Sequence, residues 1–148
     1  KRQIHLRSDL ERKSRAGVPT DRRLGGAAYG EDARHAVYGQ MLARAGAILA
    51  AGWPVILDAT FLDPADRAAA RALAAERGVP LEGLWLEAPP DLLVARVSTR
   101  RSDASDADEA VVRAQLARQP RAGDWRTLDT GRPPEEVAHS ACRALGLD

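Results

Sequence analysis

The sequence has one cysteine, Cys142, and three scattered histidines, His5, His35 and His139. One thiol closes no intrachain disulfide, so stability must come from a packed core, and a reducing, cytosolic setting is expected. One thiol and three imidazoles build no His/Cys zinc cluster. Aromatic residues make up 4% of the chain, and Trp53, Trp85 and Trp125 are expected to pack in the core or at its rim, with Trp125 placed to border a base. No apolar run approaches the roughly 18 residues of a membrane span, and no signal peptide is visible. The chain opens on Lys1 rather than Met, as an internal piece would. Neither sign of charge dominates: Lys+Arg is 22 against 21 Asp+Glu, a net charge of +1. That balance argues against a nucleic-acid or membrane surface built on bulk charge. Lysine is nearly missing too, at Lys1 and Lys13 only. In so arginine-rich a chain, a lone arginine carries little information.

What is present suffices for one domain over residues 1–148: 148 residues that are 45% hydrophobic. Apolar runs alternate with helical patterns. Residues 3–7 (QIHLR) read as a strand, with Ser8 or Asp9 as the cap of a short helix through Lys13. Glycines and Pro19 mark 14–30 as a loop. Glu31 to Ala51 carries Val37, Met41, Leu42, Ala45, Ile48 and Leu49 on one stripe, a helix ended by Gly52. Residues 54–58 suit a buried parallel strand, 64–77 a helix ended by Gly78, and 81–87 a strand. Pro89 and Pro90 open a helix to about Arg101. Ser105 with Asp108 resembles a capping box for a helix to about Gln119. A last strand over 126–130 and a helix from Pro133 to Leu145 complete the chain. The alternation predicts an α/β fold, a parallel sheet with helices on both faces, whose chemistry collects at the carboxyl ends of the strands.

Three constellations stand at or near such ends. The run VILDAT (55–60) is Walker-B-like: a strand delivers Asp58 to the crevice, where a hard carboxylate holds Mg²⁺ directly or through water. Thr60 follows, placed to bond a phosphate or a substrate; the plainer reading of Asp58 is a helix cap. In Arg7-Ser8-Asp9, Asp9 has the position of a base for an attacking hydroxyl, with Arg7 or Arg12 steadying phosphate or substrate. Here a helix cap explains Ser-Asp equally well. In LLVARVSTRR, Arg96 and Arg100 share a helix face and Arg101 extends it, a set able to close over a triphosphate. A solvated basic face is the competing explanation. The glycine run Gly25 to Gly30 has Walker A spacing, but Glu31 and Asp32 follow where Lys and Ser/Thr are required, and two acids repel a triphosphate.

Taken in order, LRSDLERK (6–13), GAAYG (26–30) with Tyr38, VILDATFL (55–62), LEAPPDLLVARVSTR (86–100), SDAD (105–108) with Gln115, and LDTGRPPEE (128–136) resemble one family. It is the ATP-binding, AAA-type P-loop kinase domain often fused behind an aminoglycoside-phosphotransferase-like domain. More distantly the chain is similar to zeta toxin, gluconate kinase, chloramphenicol phosphotransferase and polynucleotide 5′-kinase. The resemblance implies a P-loop NTPase fold of nucleoside-kinase type, ATP and Mg²⁺ as cofactors, and a lid over about 90–119. It implies Asp9 as the hydroxyl-activating acid, Asp58 as the acid near magnesium, Arg96 and Arg100 as lid arginines, and the Thr130–Arg132 turn near the adenine. Tyr29, Arg7, Arg12 and Thr60 are assigned to the acceptor substrate. The family's first strand, its G-x-x-x-x-G-K-[ST] loop and its first helix precede what corresponds to Gln3; the 148 residues contain no such loop.

The expected activity is therefore a cytoplasmic, ATP/Mg-dependent kinase acting on a small-molecule hydroxyl when intact, with this chain alone inactive. A nucleotide-binding or regulatory module without turnover, serving an adjacent phosphotransferase domain, is the first alternative. A polynucleotide 5′-hydroxyl kinase is the second, and the near-zero charge argues against it.

Overall fold

The structure, a computed structural model, describes residues 2–22, 24, 30–99 and 105–147. In chain order the elements are β1 (Ile4–Arg7), α1 (Ser8–Arg15), α2 (Glu31–Ala50), β2 (Val55–Asp58) and α3 (Pro64–Glu76). They continue as β3 (Leu84–Glu87), α4 (Pro90–Thr99), α5 (Glu109–Ala117), β4 (Arg126–Asp129) and α6 (Pro134–Leu145). The described residues pack as two compact units. One runs to Val79 and includes Ser105 and Asp106; the other holds Pro80 to Thr99 and continues from Ala107.

In the first unit β1 and β2 pair in parallel, Ile4 opposite Val55 and Arg7 opposite Asp58. α2 packs on both strands and on α1 and α3. Its first turn carries Glu31 and Asp32, which complement the helix dipole. The chain leaves it through Gly52 at φ 80°, a left-handed conformation glycine adopts without a Cβ clash. The expected stripe is the buried one: Val37, Met41 and Ala45 join Leu6, Tyr38, Phe61, Ala70 and Ala74 in the core. α3 starts as its sequence asks, with Pro64 in the first turn and the Asp63 carboxylate accepting from the Ala65 N–H. Along the sheet, His5, Arg7, Ile56 and Asp58 form the more open row, and Ile56 remains 45% exposed.

In the second unit β3 and β4 also run parallel, Leu84 opposite Arg126 and Glu87 opposite Asp129. α6 packs on β4, and the Arg126 guanidinium donates to the Ala144 carbonyl at 2.5 Å. α4 and α5 pack on each other. The strand begins at Leu84, three residues later than the pattern suggests. Gly83 before it lies under the Trp125 ring so closely that a Cβ there would stand 2.4 Å from ring atoms.

Two helix starts differ from expectation. α1 begins at Ser8, directly off β1, so Arg7 holds the N-cap position and no side chain caps it. Ser105 does not cap α5; Asp108 does, accepting from the Val111 N–H at 3.0 Å. Lys13 is 1% exposed. Its ammonium donates to the Thr20 carbonyl at 2.8 Å and pairs with Asp106 at 3.2 Å, while Asp106 accepts from the Leu24 N–H. This charge pair ties α1, the loop after it and the segment before α5 into one unit.

Breaking a buried pair leaves an uncompensated charge. Lys13→Met is expected to lower unfolding free energy by about 3 kcal/mol in urea titration, and Lys13→Met with Asp106→Leu to recover part of that loss. Gly83→Ala should destabilise by roughly 1–3 kcal/mol by overpacking against Trp125; an unchanged urea midpoint would show that the indole moves aside.

Candidate functional site

Because β1 and β2 are parallel, both chains leave the sheet at the same edge, and the residues that follow carry the candidate chemistry. From β1 the chain turns straight into α1, which puts Asp9 in the first helical turn. With no side-chain cap at this helix, the Asp9 carboxylate has not been spent on capping. It accepts instead from Arg12 at 2.8 Å, a pair one turn apart with Asp9 24% exposed. From β2 comes Asp58, half exposed. The His5 Nε2 lies 3.1 Å and the Arg7 Nε 3.6 Å from its Oδ2. Both contacts fall on one oxygen, Oδ2. Among the described residues no group of three or more His, Cys, Asp or Glu gathers to hold a metal. Mg²⁺ fits here only as an ion with one protein carboxylate, completed by phosphate oxygens and waters, which is its usual habit.

Past Asp58 the backbone makes an unusual turn. Phe61 has φ 45°, left-handed for a residue with a Cβ, and is 3% exposed. Such a conformation persists only where the surroundings enforce it. Its N–H donates to the Tyr38 hydroxyl at 2.9 Å, and its carbonyl accepts from Arg67 at 2.5 Å. The two rings meet edge-on with centroids 5.2 Å apart. Arg34 lies over the Tyr38 ring, 6.0 Å from its centroid, and is held by Asp63 at 3.1 Å and by Asp66. Thr60, exposed on this turn, has its Oγ1 3.4 Å from the Tyr38 hydroxyl. Burial, above all, raises the Tyr38 pKa from its usual 10.0.

In the second unit, Arg96 on α4 reaches Thr130 just past β4, donating to its carbonyl at 2.7 Å and lying 3.5 Å from its Oγ1. The Thr130 hydroxyl donates to the Glu87 carbonyl at 2.8 Å. Arg132 stands 3.7 Å from Asp129. Two residues assigned to the nucleotide, Arg96 and Thr130, are thus brought together, with Arg132 close by in the same turn. Tyr29, Arg100 and Arg101 lie outside the described residues.

Sequence reasoning passed over three participants. His5 has no partner near it in sequence, and only the β1–β2 register brings it to Asp58. The Arg34–Asp63–Asp66 cluster and the strain at Phe61 leave no local pattern. Tyr38 was visible, but as one tyrosine on a long helix. Among the described residues no helix is long and apolar enough to cross a membrane.

A neutral phenol is favoured in the fold, so the Tyr38 contribution to stability should be complete below its unfolded pKa of 10.0 and fall as pH rises past it. Urea midpoints between about pH 9 and 11 are expected to drop less steeply in Tyr38→Phe than in the wild type. Parallel pH curves would contradict this.

Comparison with known proteins agrees with the fold. Proteins of Mycobacterium tuberculosis and Mycobacterium bovis, both described as uncharacterized, are 37% identical over 109 residues, covering 72% of this chain and 21% of theirs. The chain therefore spans about a fifth of the length of these curated relatives. Among solved structures, the Deinococcus radiodurans tunicamycin resistance protein superposes with a TM-score of 0.65 at 17% identity, over 99% of this chain and 84% of its own. A sugar kinase from Janibacter gives 0.66 at 19%, over 98% and 80%. A gluconokinase from Sinorhizobium meliloti gives 0.64 at 22%, over 97% and 77%. These likenesses establish a kinase-like P-loop α/β fold. With residues 2–122 matching the family described as AAA domain, the chain belongs to that family.

Proposed function

We propose that this chain is part of an ATP- and Mg²⁺-dependent phosphotransferase, cytoplasmic, acting on a hydroxyl of a small molecule. The observation that carries the reading is the parallel register that sends Asp9 and Asp58 off the same sheet edge, with Asp9 released from helix capping. Arg12 holds Asp9 Oδ1, and Oδ2 takes the proton as the acceptor oxygen attacks the γ-phosphorus and the bond to the ADP oxygen breaks. Arg7, Arg12 and Tyr29 hold the acceptor, with Thr60 beside them on the acceptor or on a phosphate oxygen. Asp58 would hold the magnesium ion, which when bound neutralises phosphate charge. Arg96, Arg100 and Arg101 add positive charge for the nucleotide, and Thr130 to Arg132 border the adenine. Nucleotides and hydroxylated small molecules are the proposed partners; the net charge of +1 argues against a nucleic-acid or membrane surface built on bulk charge.

No G-x-x-x-x-G-K-[ST] sequence occurs in the 148 residues. The triphosphate-binding loop is assigned to a segment outside them, in a protein that also carries a phosphotransferase-like domain. The same observation favours a second reading, a nucleotide-binding module without turnover that serves its neighbour.

Full-length protein given MgATP and a panel of hydroxylated small molecules should transfer phosphate, and Asp9→Asn should lower kcat by about 10²–10⁴ with ATP affinity near wild type. Tight ATP binding without transfer to any acceptor would select the module. Labelling confined to a 5′-hydroxyl oligonucleotide would point to a nucleic-acid kinase.

A further inference from the structure

We propose that Tyr38 is a positioning residue that turns the Thr60 hydroxyl into a hydrogen-bond donor for a phosphate oxygen of the bound nucleotide; this rests on the kinase-type site described above. The argument is one of proton bookkeeping. The Tyr38 oxygen already accepts the Phe61 N–H at 2.9 Å, and its own proton needs an acceptor because the residue is 4% exposed. The contact that supplies one is Thr60 Oγ1, at 3.4 Å. Were Thr60 the donor instead, the phenolic proton would be buried without an acceptor, the arrangement proteins avoid most strongly. Burial keeps that proton in place by raising the pKa of the phenol.

With its oxygen loaded by Tyr38, Thr60 has one proton left to give, and it is exposed at the strand end. Such a hydroxyl suits an oxygen acceptor. The turn is fixed in place around it: the left-handed Phe61 is held at its N–H by Tyr38 and at its carbonyl by Arg67. The Tyr38 ring itself is buried in contact with Phe61 and Arg34, which holds the hydroxyl in place. A donor locked on a rigid turn loses little freedom when the ligand arrives.

The test is a double-mutant cycle on the full-length protein, with MgATP affinity read by calorimetry. Tyr38→Phe and Thr60→Val should each weaken MgATP about fivefold, the size of one neutral hydrogen bond. The pair together should be no weaker than Thr60→Val alone, and Thr60→Ser should stay near wild type. A purely structural Tyr38 would lower Tm and leave the Thr60→Val background just as sensitive to its loss, so additive effects overturn the proposal. So does a Thr60→Val protein that binds normally. If the wild type binds MgATP and the cycle couples while no acceptor is phosphorylated, the kinase reading falls and this inference stands. If phosphate is transferred and the cycle shows no coupling, the reverse holds, and a wild type that binds no MgATP removes both.

Discussion

The functional reading depends on the parallel pairing of β1 and β2 in one register. Arg7 opposite Asp58 fixes which residues emerge together: Ser8 and Asp9 on one side, Ala59, Thr60 and Phe61 on the other. A slip by one residue would exchange the two faces of the strand. Leu6 would leave the core, and Asp58 would lose its contacts with His5 and Arg7. The register is held from below by apolar packing of α2 and from the end by the tight turn at Phe61.

Much of this was legible because local rules and the global fold agree. Strand–helix alternation, the stripe on α2, the glycines at 52 and 78 and the Asp63-Pro64 start of α3 each point the same way, which is how a sequence specifies one structure. The misreadings are also local in origin. Ser8 and Asp9 look like caps by composition, but β1 runs straight into α1, so the extended N-cap position falls to Arg7, whose side chain does not cap. Ser105 and Asp108 have the spacing of a capping box, yet the competing acid three residues on takes the cap itself. The roles of His5, Lys13 and Asp106 were out of reach because their partners come from distant parts of the chain.

Lys13 shows how position decides chemistry. It is one of only two lysines, and it stands in no phosphate-loop sequence. It is sealed in the core against Asp106 and a carbonyl, with no donor left facing solvent. The first unit thus spends Lys13 with Asp106, as it does Arg34 with Asp66, on holding itself together and keeps other pairs, Asp9 with Arg12 and Asp58 with Arg7, at the open edge. The partly exposed pairs at that edge are ones a ligand can rearrange, whereas the buried one is not.

The fold is that of P-loop kinases, and in the proposed reading the Asp9 carboxylate, paired with Arg12 but not spent on a helix cap, gives this edge its direction. The most direct test is a crystal structure of the full-length protein with magnesium, a non-hydrolysable ATP analogue and an acceptor. The account predicts magnesium bound at Asp58, directly or through water, and Asp9 within about 3 Å of the acceptor hydroxyl. A nucleotide bound with its metal away from Asp58, and Asp9 still closed on Arg12 with no acceptor beside it, would contradict the account.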